Sequence, residues 1–576
     1  MIPQEIQRVV LLIALAATGY LLILAWFDDQ EQQKQTIDYN EAPIASVATE
    51  VPTVDTPLAP APSPSPTGGS DVPDASLLAP APGAAQAQPA PGAQPQAAND
   101  SLVRVTTPTM WLWIDLVGGD IVRVQLPEFP RELNSDVPYR LLERNLSRTY
   151  VAQSGLIGPN GSDSNGRATF TASARELSIG PGETGQLVLT TNIEGGVASK
   201  VFSFDADDYL VTVDHRLENR TSSTMSAALF AQIKRDHLPP ATEEAFSLAP
   251  QPFLGAAYTT PEERYYKVDF DDVDEEGFDE TVQGGWVAFL QHYFISAWIA
   301  DPLLTNRYTA RRGGDGKYLF GFTSPLLEVG PGATGNWQAQ FYAGPKDQKR
   351  LDEISDNLEL TIDYGFLWWL ASPLFLLLDF LHSMVGNWGV AIILLTVVVK
   401  LVLWPISAAG YKSMANMRRV APAMKKLQER YANDREKLSR EMMALYKKEG
   451  ANPLGGCFPM LLPMPIFLAL YWVLFESVEL RQAPFFFWIE DLAQMDPYFI
   501  LPLAMGATTY WMQSLNPQVG DPMQVRMMKM MPIMFTVLFL FFPAGLVLYW
   551  LVNNVLSIAQ QQWVYRREER ALAAKA

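Results

Sequence analysis

From Trp388 onward the chain alternates long apolar stretches with short polar ones. This pattern predicts membrane-crossing helices at about 388–407, 458–475, 498–513, 530–542 and 546–563. About 20 apolar residues, rising about 1.5 Å each, cross the roughly 30 Å hydrocarbon core. The 530–542 run is short for that distance. Phe542-Pro543-Ala544-Gly545 predicts a tight turn that folds the last two spans into a hairpin. Between 408 and 457, Met414, Met417, Val420, Met424, Leu427 and Tyr431 recur at helical spacing, as do Leu438, Met442, Leu445 and Tyr446 after Asn433-Asp434. Two amphipathic helices joined by a short turn are expected there. Near the N-terminus, the charge-free run Val9–Phe27 ends at Asp28-Asp29 and predicts an uncleaved anchor over residues 1–27.

The period changes between these regions. In Tyr209–Glu218, Tyr209, Val211, Val213 and Leu217 alternate with Thr212, Asp214, Arg216 and Glu218, the period of two of a half-buried strand. Gln186–Thr191 and Asn336–Tyr342 repeat it, and Gly118-Gly119-Asp120 and Pro181-Gly182 supply turns. Residues 102–345 therefore predict a large β-sandwich. Residues 28–101, rich in Pro and Ala, read as a disordered tether. Residues 346–386 form a connector that ends in an apolar helix interrupted by Pro373, Asp379 and His382. The acidic cluster Asp269–Glu280 lacks EF-hand spacing and is expected to be a solvated loop.

Charge orients these parts. The whole chain has 43 Lys+Arg, 62 Asp+Glu and a net charge of −19, which argues against direct DNA binding. Residues 28–345 alone carry 20 basic and 41 acidic side chains; the remainder is slightly positive. Loop 408–457 has eleven Lys/Arg against five acids, loop 477–496 one against four, and the tail 564–576 four against two. The positive-inside rule then puts 408–457 and both termini in the cytoplasm, and the sandwich outside. A sixth crossing would invert the basic loop, so Phe366–Val385 is expected to lie along the outer interface, anchored by Trp368 and Trp369.

Candidate chemistry is sparse. One cysteine, Cys457, excludes an intrachain disulfide framework and a multi-cysteine zinc site. No phosphate-binding loop or Ser/His/Asp constellation stands out, so neither catalysis nor a cofactor or metal is expected. Lys400 is the unambiguous charge deep in an expected span. At a helix centre a lysine costs roughly 2.5–3.5 kcal/mol, so it needs water, a partner or an escape to the headgroups. Thr396 lies one turn away, and Thr508, Thr509, Gln513, Asn553, Asn554 and Ser557 could wet the same cavity. Met523, Met527, Met528, Met530, Met531 and Met534 gather where a short span meets the cytoplasm, a flexible apolar surface. Two rival functions remain: a transporter or channel using Lys400, and a carbohydrate enzyme using His215, His237 or His292. Against them stand the lack of internal repeats and the apolar strand face that carries His215.

The segments YGFLWWLASPLFLLLDFLHSMVGNWG (364–389), NPLGGCFPMLLPMPIFLALYWVLFESVELRQAPF (452–485), FFPAGLVLYWLVNN (541–554) and GGWVAFLQHYF (284–294) closely resemble the YidC family of bacterial membrane protein insertases. The resemblance implies a multi-pass inner-membrane protein with an anchor helix, a periplasmic β-supersandwich and a five-helix core (387–576) bearing a cytoplasmic helical hairpin. It further implies a hydrophilic groove in which a cation receives the polar part of a client. Lys400 falls at that cation's position, where Arg is frequent, and Thr396 matches an important threonine. Tyr549 and Trp550 match an aromatic pair, while Pro463 stands where Gln is common. Thr508, Gln513 and Asn553 are expected to complete the groove. Met527, Met530 and Met531 would form a client slide, and Met424 and Leu427 a cytoplasmic capture surface. Expected partners are nascent inner-membrane proteins, the Sec translocase, the ribosome at the basic loops and tail, and the lipid bilayer.

Overall fold

Strand Leu210–Asn219 shows how the alternating pattern builds the sandwich: Val211, Val213, His215 and Leu217 point inward, while Thr212, Asp214 and Arg216 lie on the wetter face. The structure is a computed structural model and describes residues 71–73, 101–238, 252–260, 262–431, 434–449, 462–515 and 522–573. The expected anchor, nearly all of the tether, and Cys457 lie outside the described residues. Two sheets, of eleven and nine strands, hold the region from Leu102 to Pro345. Pairing is antiparallel except where Leu102–Thr106 runs parallel to Glu176–Ser178. Their facing residues, among them Phe202, Phe289, Phe320 and Trp298, form one continuous core. The expected acidic loop is instead a short helix, Phe270–Glu275. Asp269 and Asp272 cap it reciprocally, and Asp274 and Asp279 pair with Arg312 and Arg307. Carboxylates at a helix start offset the exposed N–H groups, so the cluster orders itself.

From Trp368 onward come eight α-helices among the described residues: α1 (Trp368–Val385), α2 (Trp388–Val402), α3 (Trp404–Arg430), α4 (Arg435–Glu449), α5 (Met464–Glu476), α6 (Ile500–Ser514), α7 (Pro522–Phe539) and α8 (Ala544–Ala573). Several expected boundaries move. The run 388–407 is not one straight span: α2 and α3 meet at Leu403 with a 68° bend. Pro405 cannot donate to the preceding turn but fits the start of a new helix, which accounts for the break. The short 530–542 run is the C-terminal part of an 18-residue helix that begins at Pro522. The last span continues without interruption through the basic tail to Ala573. Helix α5 begins at Met464; the first positions of the expected 458–475 span lie outside the described residues.

The hairpin forms as its spacing predicts, with Met417, Val420 and Met424 of α3 packed on Met442, Leu445 and Tyr446 of α4. Together with the preceding Gly365–Leu367 turn, α1 makes the one unbroken helical stretch of the described residues that is long and apolar enough to cross a membrane. It packs on α2 and α5, yet exposes Trp368, Trp369, Leu376 and Phe380 along its other side. Helix α8 crosses the bundle centre, touching α2, α3, α5 and α6. Its polar side chains consequently face the bundle interior.

Candidate functional site: a buried cation beside a polar helix face

Helix α8 carries Asn553, Ser557 and Gln560 at intervals of four and three, one stripe of a helix, and all three are buried. Lys400, in the last turn of α2, donates to Ser557 Oγ at 2.7 Å. Ser557 in turn donates to the Asn553 carbonyl at 2.6 Å and also hydrogen-bonds Tyr411 of α3. Lys400 is only 8% exposed, and among the described residues no carboxylate stands beside it. A buried ammonium with a hydroxyl for a neighbour and no counterion can attract an anion. Position in the last helical turn lets the carbonyl end of α2 stabilise the charge.

A small recess adjoins this lysine, lined by Val399, Lys400, Leu403, Ser407, Leu462, Pro463, Ile466, Tyr549 and Asn553. The bend at Leu403 turns α3 away and brings Ser407 onto the recess wall. Of the seven residues expected in a groove, Lys400, Tyr549 and Asn553 meet here. Thr396 is buried one turn below and returns its hydroxyl to the Ile392 carbonyl at 2.7 Å. Thr508 lies between α6 and α8, where it and Thr509 accept from Asn554 Nδ2 at 3.3 and 2.8 Å. Gln513 donates to the Met528 carbonyl and so joins α6 to α7. Trp550 faces away from the recess into an aromatic cluster, 4.8 Å from Phe467 and 5.7 Å from Phe539 between ring centres.

The expected client surfaces divide similarly. Met527 and Met530 are exposed on α7 at 69% and 57%, and Met531 is half-buried. Met424, expected to capture clients, fills the α3–α4 seam at 1% exposure, because the hairpin needs an apolar residue at that register. Leu427 is half-buried near the end of α3. Ser407, Tyr411 and Gln560 are site residues that sequence reasoning passed over. The spacing of Asn553, Ser557 and Gln560 on one helical stripe was the available signal. The acceptor oxygens of Gln513, Asn554 and Gln560 are buried and find no partner among the described residues.

The sandwich holds a separate polar cluster. Lys200 donates to the Gly119 carbonyl at 2.6 Å, Arg167 joins Asp120 and Asp163, and His215 Nε2 lies 3.2 Å from Ser154 Oγ. Burial drives the Lys200 ammonium down to about 7, and burial with the neighbouring Lys200 and Arg167 keeps His215 uncharged. Ser154 and His215 are 0% and 2% exposed, so this pair is sealed between the sheets. His237 is exposed, and His292 hydrogen-bonds the Phe475 carbonyl at 2.7 Å. The three histidines do not converge.

Comparison with known proteins agrees with this division. Residues 102–377 match the model of the YidC periplasmic domain, and residues 380–571 match that of the 60Kd inner membrane protein. The membrane protein insertase YidC of Cellvibrio japonicus is 48% identical over 573 residues, covering 98% of this chain and 99% of its own. That of Ectopseudomonas mendocina is 46% identical over 592 residues, again covering 98% and 99%. Among solved structures, an active YidC insertase crystal structure with its first transmembrane domain resolved covers 80% of this chain and 92% of its own, at 17% identity and a TM-score of 0.36. A galactose mutarotase related enzyme from Lactobacillus acidophilus covers 42% of this chain and 97% of its own, at 8% identity and a TM-score of 0.29. Both family models and near-complete relatives thus meet on one assignment: the chain belongs to the YidC family of membrane protein insertases.

Proposed function

We propose that this inner-membrane protein inserts and helps fold other membrane proteins by receiving their polar segments beside Lys400. The observation that carries the reading is the uncompensated ammonium of Lys400, which is seated against the Asn553–Ser557–Gln560 stripe at a small recess. A client's acidic tail would exchange water for the Lys400 ammonium, lowering the cost of moving it through the apolar layer. Release of the client's apolar helix into lipid along α7, whose Met527 and Met530 are exposed, is then the downhill step. No nucleotide is required by this scheme. Here α2 and α5–α8 act as the five-helix core, joined by the anchor.

Charge supports the orientation. The basic α3–α4 hairpin and the end of α8 face the cytoplasm, where ribosomes and nascent chains would meet them, and the acidic sandwich faces the periplasm and partners such as the Sec translocase. Helix α1 then lies at the outer interface with Trp368 and Trp369 exposed to headgroups. Lys400→Ala is expected to abolish insertion of clients with charged tails, and Lys400→Arg to retain it, in an insertase-depleted strain. Growth of the Ala variant at the parental rate would refute the role. Because a lysine ammonium lacks the planar fork of a guanidinium, Arg is expected to bind carboxylate tails at least as well.

A further inference from the structure

Strands Thr149–Ile157 and Met225–Arg235 lack the alternation of an open sheet; nearly all of their side chains are buried on both faces. In the eleven-stranded sheet one of those faces looks away from the sandwich core, so something must cover it. Part of the cover is a piece of the Pro/Ala-rich stretch. The Asp71 carboxylate receives Lys234 Nζ at 2.6 Å on both oxygens, and its carbonyl accepts from Gln232 Nε2 at 2.7 Å and from Arg311 at 3.2 Å. Val72 packs on the cluster of Ile157, Ala228 and Phe230, against which Leu326 also lies.

We propose that this face of the large sheet is a binding site for an extended acidic–apolar peptide, and that its occupant is the chain's own Asp71-Val72-Pro73. The site is built for the purpose. Gln232 is 3% exposed and its second amide contact is Gln153, so without the Asp71 carbonyl a buried donor loses its acceptor. Lys234 is 8% exposed and is held between Asp71 and Asp315, two carboxylates for one ammonium. Pro73 has no N–H to satisfy and favours an extended residue before it. Gly68-Gly69 lies just upstream. The latch ties the N-terminal part of the chain to the sandwich at residue 71 rather than at residue 102.

The test places p-benzoylphenylalanine at position 72 of the full-length protein in native membranes and maps photo-crosslinks by mass spectrometry. The expected product is intramolecular, to 149–157, 225–235 or Leu326. Its yield should fall about tenfold with Asp71→Ala, which removes charge-assisted hydrogen bonds without touching the sandwich. Asp71→Asn, which keeps a neutral side-chain oxygen for Lys234, should give an intermediate yield. Crosslinks to a second copy, another protein or lipid, or a yield unchanged by Asp71→Ala, would overturn the latch.

Discussion

His292 donates its Nε2–H to the Phe475 carbonyl, and its ring stacks on Tyr293 and Phe475 at 3.8 and 4.3 Å. Burial, with Lys346 nearby, drives its imidazole down to about 3. A histidine neutral in the folded state and titrating near 6.5 when unfolded binds fewer protons folded than unfolded between those values. Stability at this contact should therefore be full above about pH 6.5 and decline as pH falls toward 3, by up to about 1.4 kcal/mol per pH unit. His292→Phe should flatten that part of the melting temperature against pH profile; an unchanged slope would assign the effect to other groups. The alternating pattern placed His215 on an apolar strand face, where it is indeed buried. It offered nothing for His292, whose partner lies 183 residues away.

Helix contacts turn on single positions. A Cβ at Gly506 of α6 would come within 2.0 Å of Thr536 Oγ1 on α7, and one at Gly389 within 2.0 Å of Phe485. Gly506→Leu should force α6 and α7 apart and cost about 1–3 kcal/mol, the usual penalty of overpacking. The readout is melting temperature in detergent. As a control, Leu503→Ala, at an exposed site on the same helix, should be nearly neutral. Helical spacing made the α3–α4 hairpin legible, because its seam is a local repeat. The α2–α3 bend was less so, since apolar residues continue through Leu401, Val402 and Leu403 up to Trp404-Pro405 and hydropathy does not record a change of direction. Met424 illustrates a related limit: spacing identifies an apolar stripe but not whether a partner helix already covers it.

Across the whole molecule, the sandwich and helical bundle are joined by buried polar contacts. Lys346, just after the last strand, pairs with Glu476 at the end of α5 at 3.3 Å, and each is 4% exposed. Arg481 donates to the Pro130 and Arg131 carbonyls at 2.7 and 3.2 Å, and Val478 enters the sandwich core. Lys346→Met alone should cost about 3–5 kcal/mol by stranding a buried carboxylate. Adding Glu476→Leu should recover most of that loss, because two apolar groups need no partners. Equal losses in the single and double variants, read by thermal unfolding, would show that the pair does not couple the two parts. Charge arithmetic separated an acidic half from a near-neutral half, yet could not show which opposite charges meet at the join.

Sequence alone determined the strand-rich and helix-rich halves, the helical hairpin and the singularity of Lys400. Periodicity is local, and an ammonium among apolar residues is conspicuous without any fold. Tertiary structure decided that Lys400 faces Ser557, that Trp550 turns into an aromatic cluster, and that Asp71 rests on a distant sheet. These depend on helix rotation and on chain segments far apart in sequence, where burial and hydrogen-bond satisfaction act jointly rather than residue by residue.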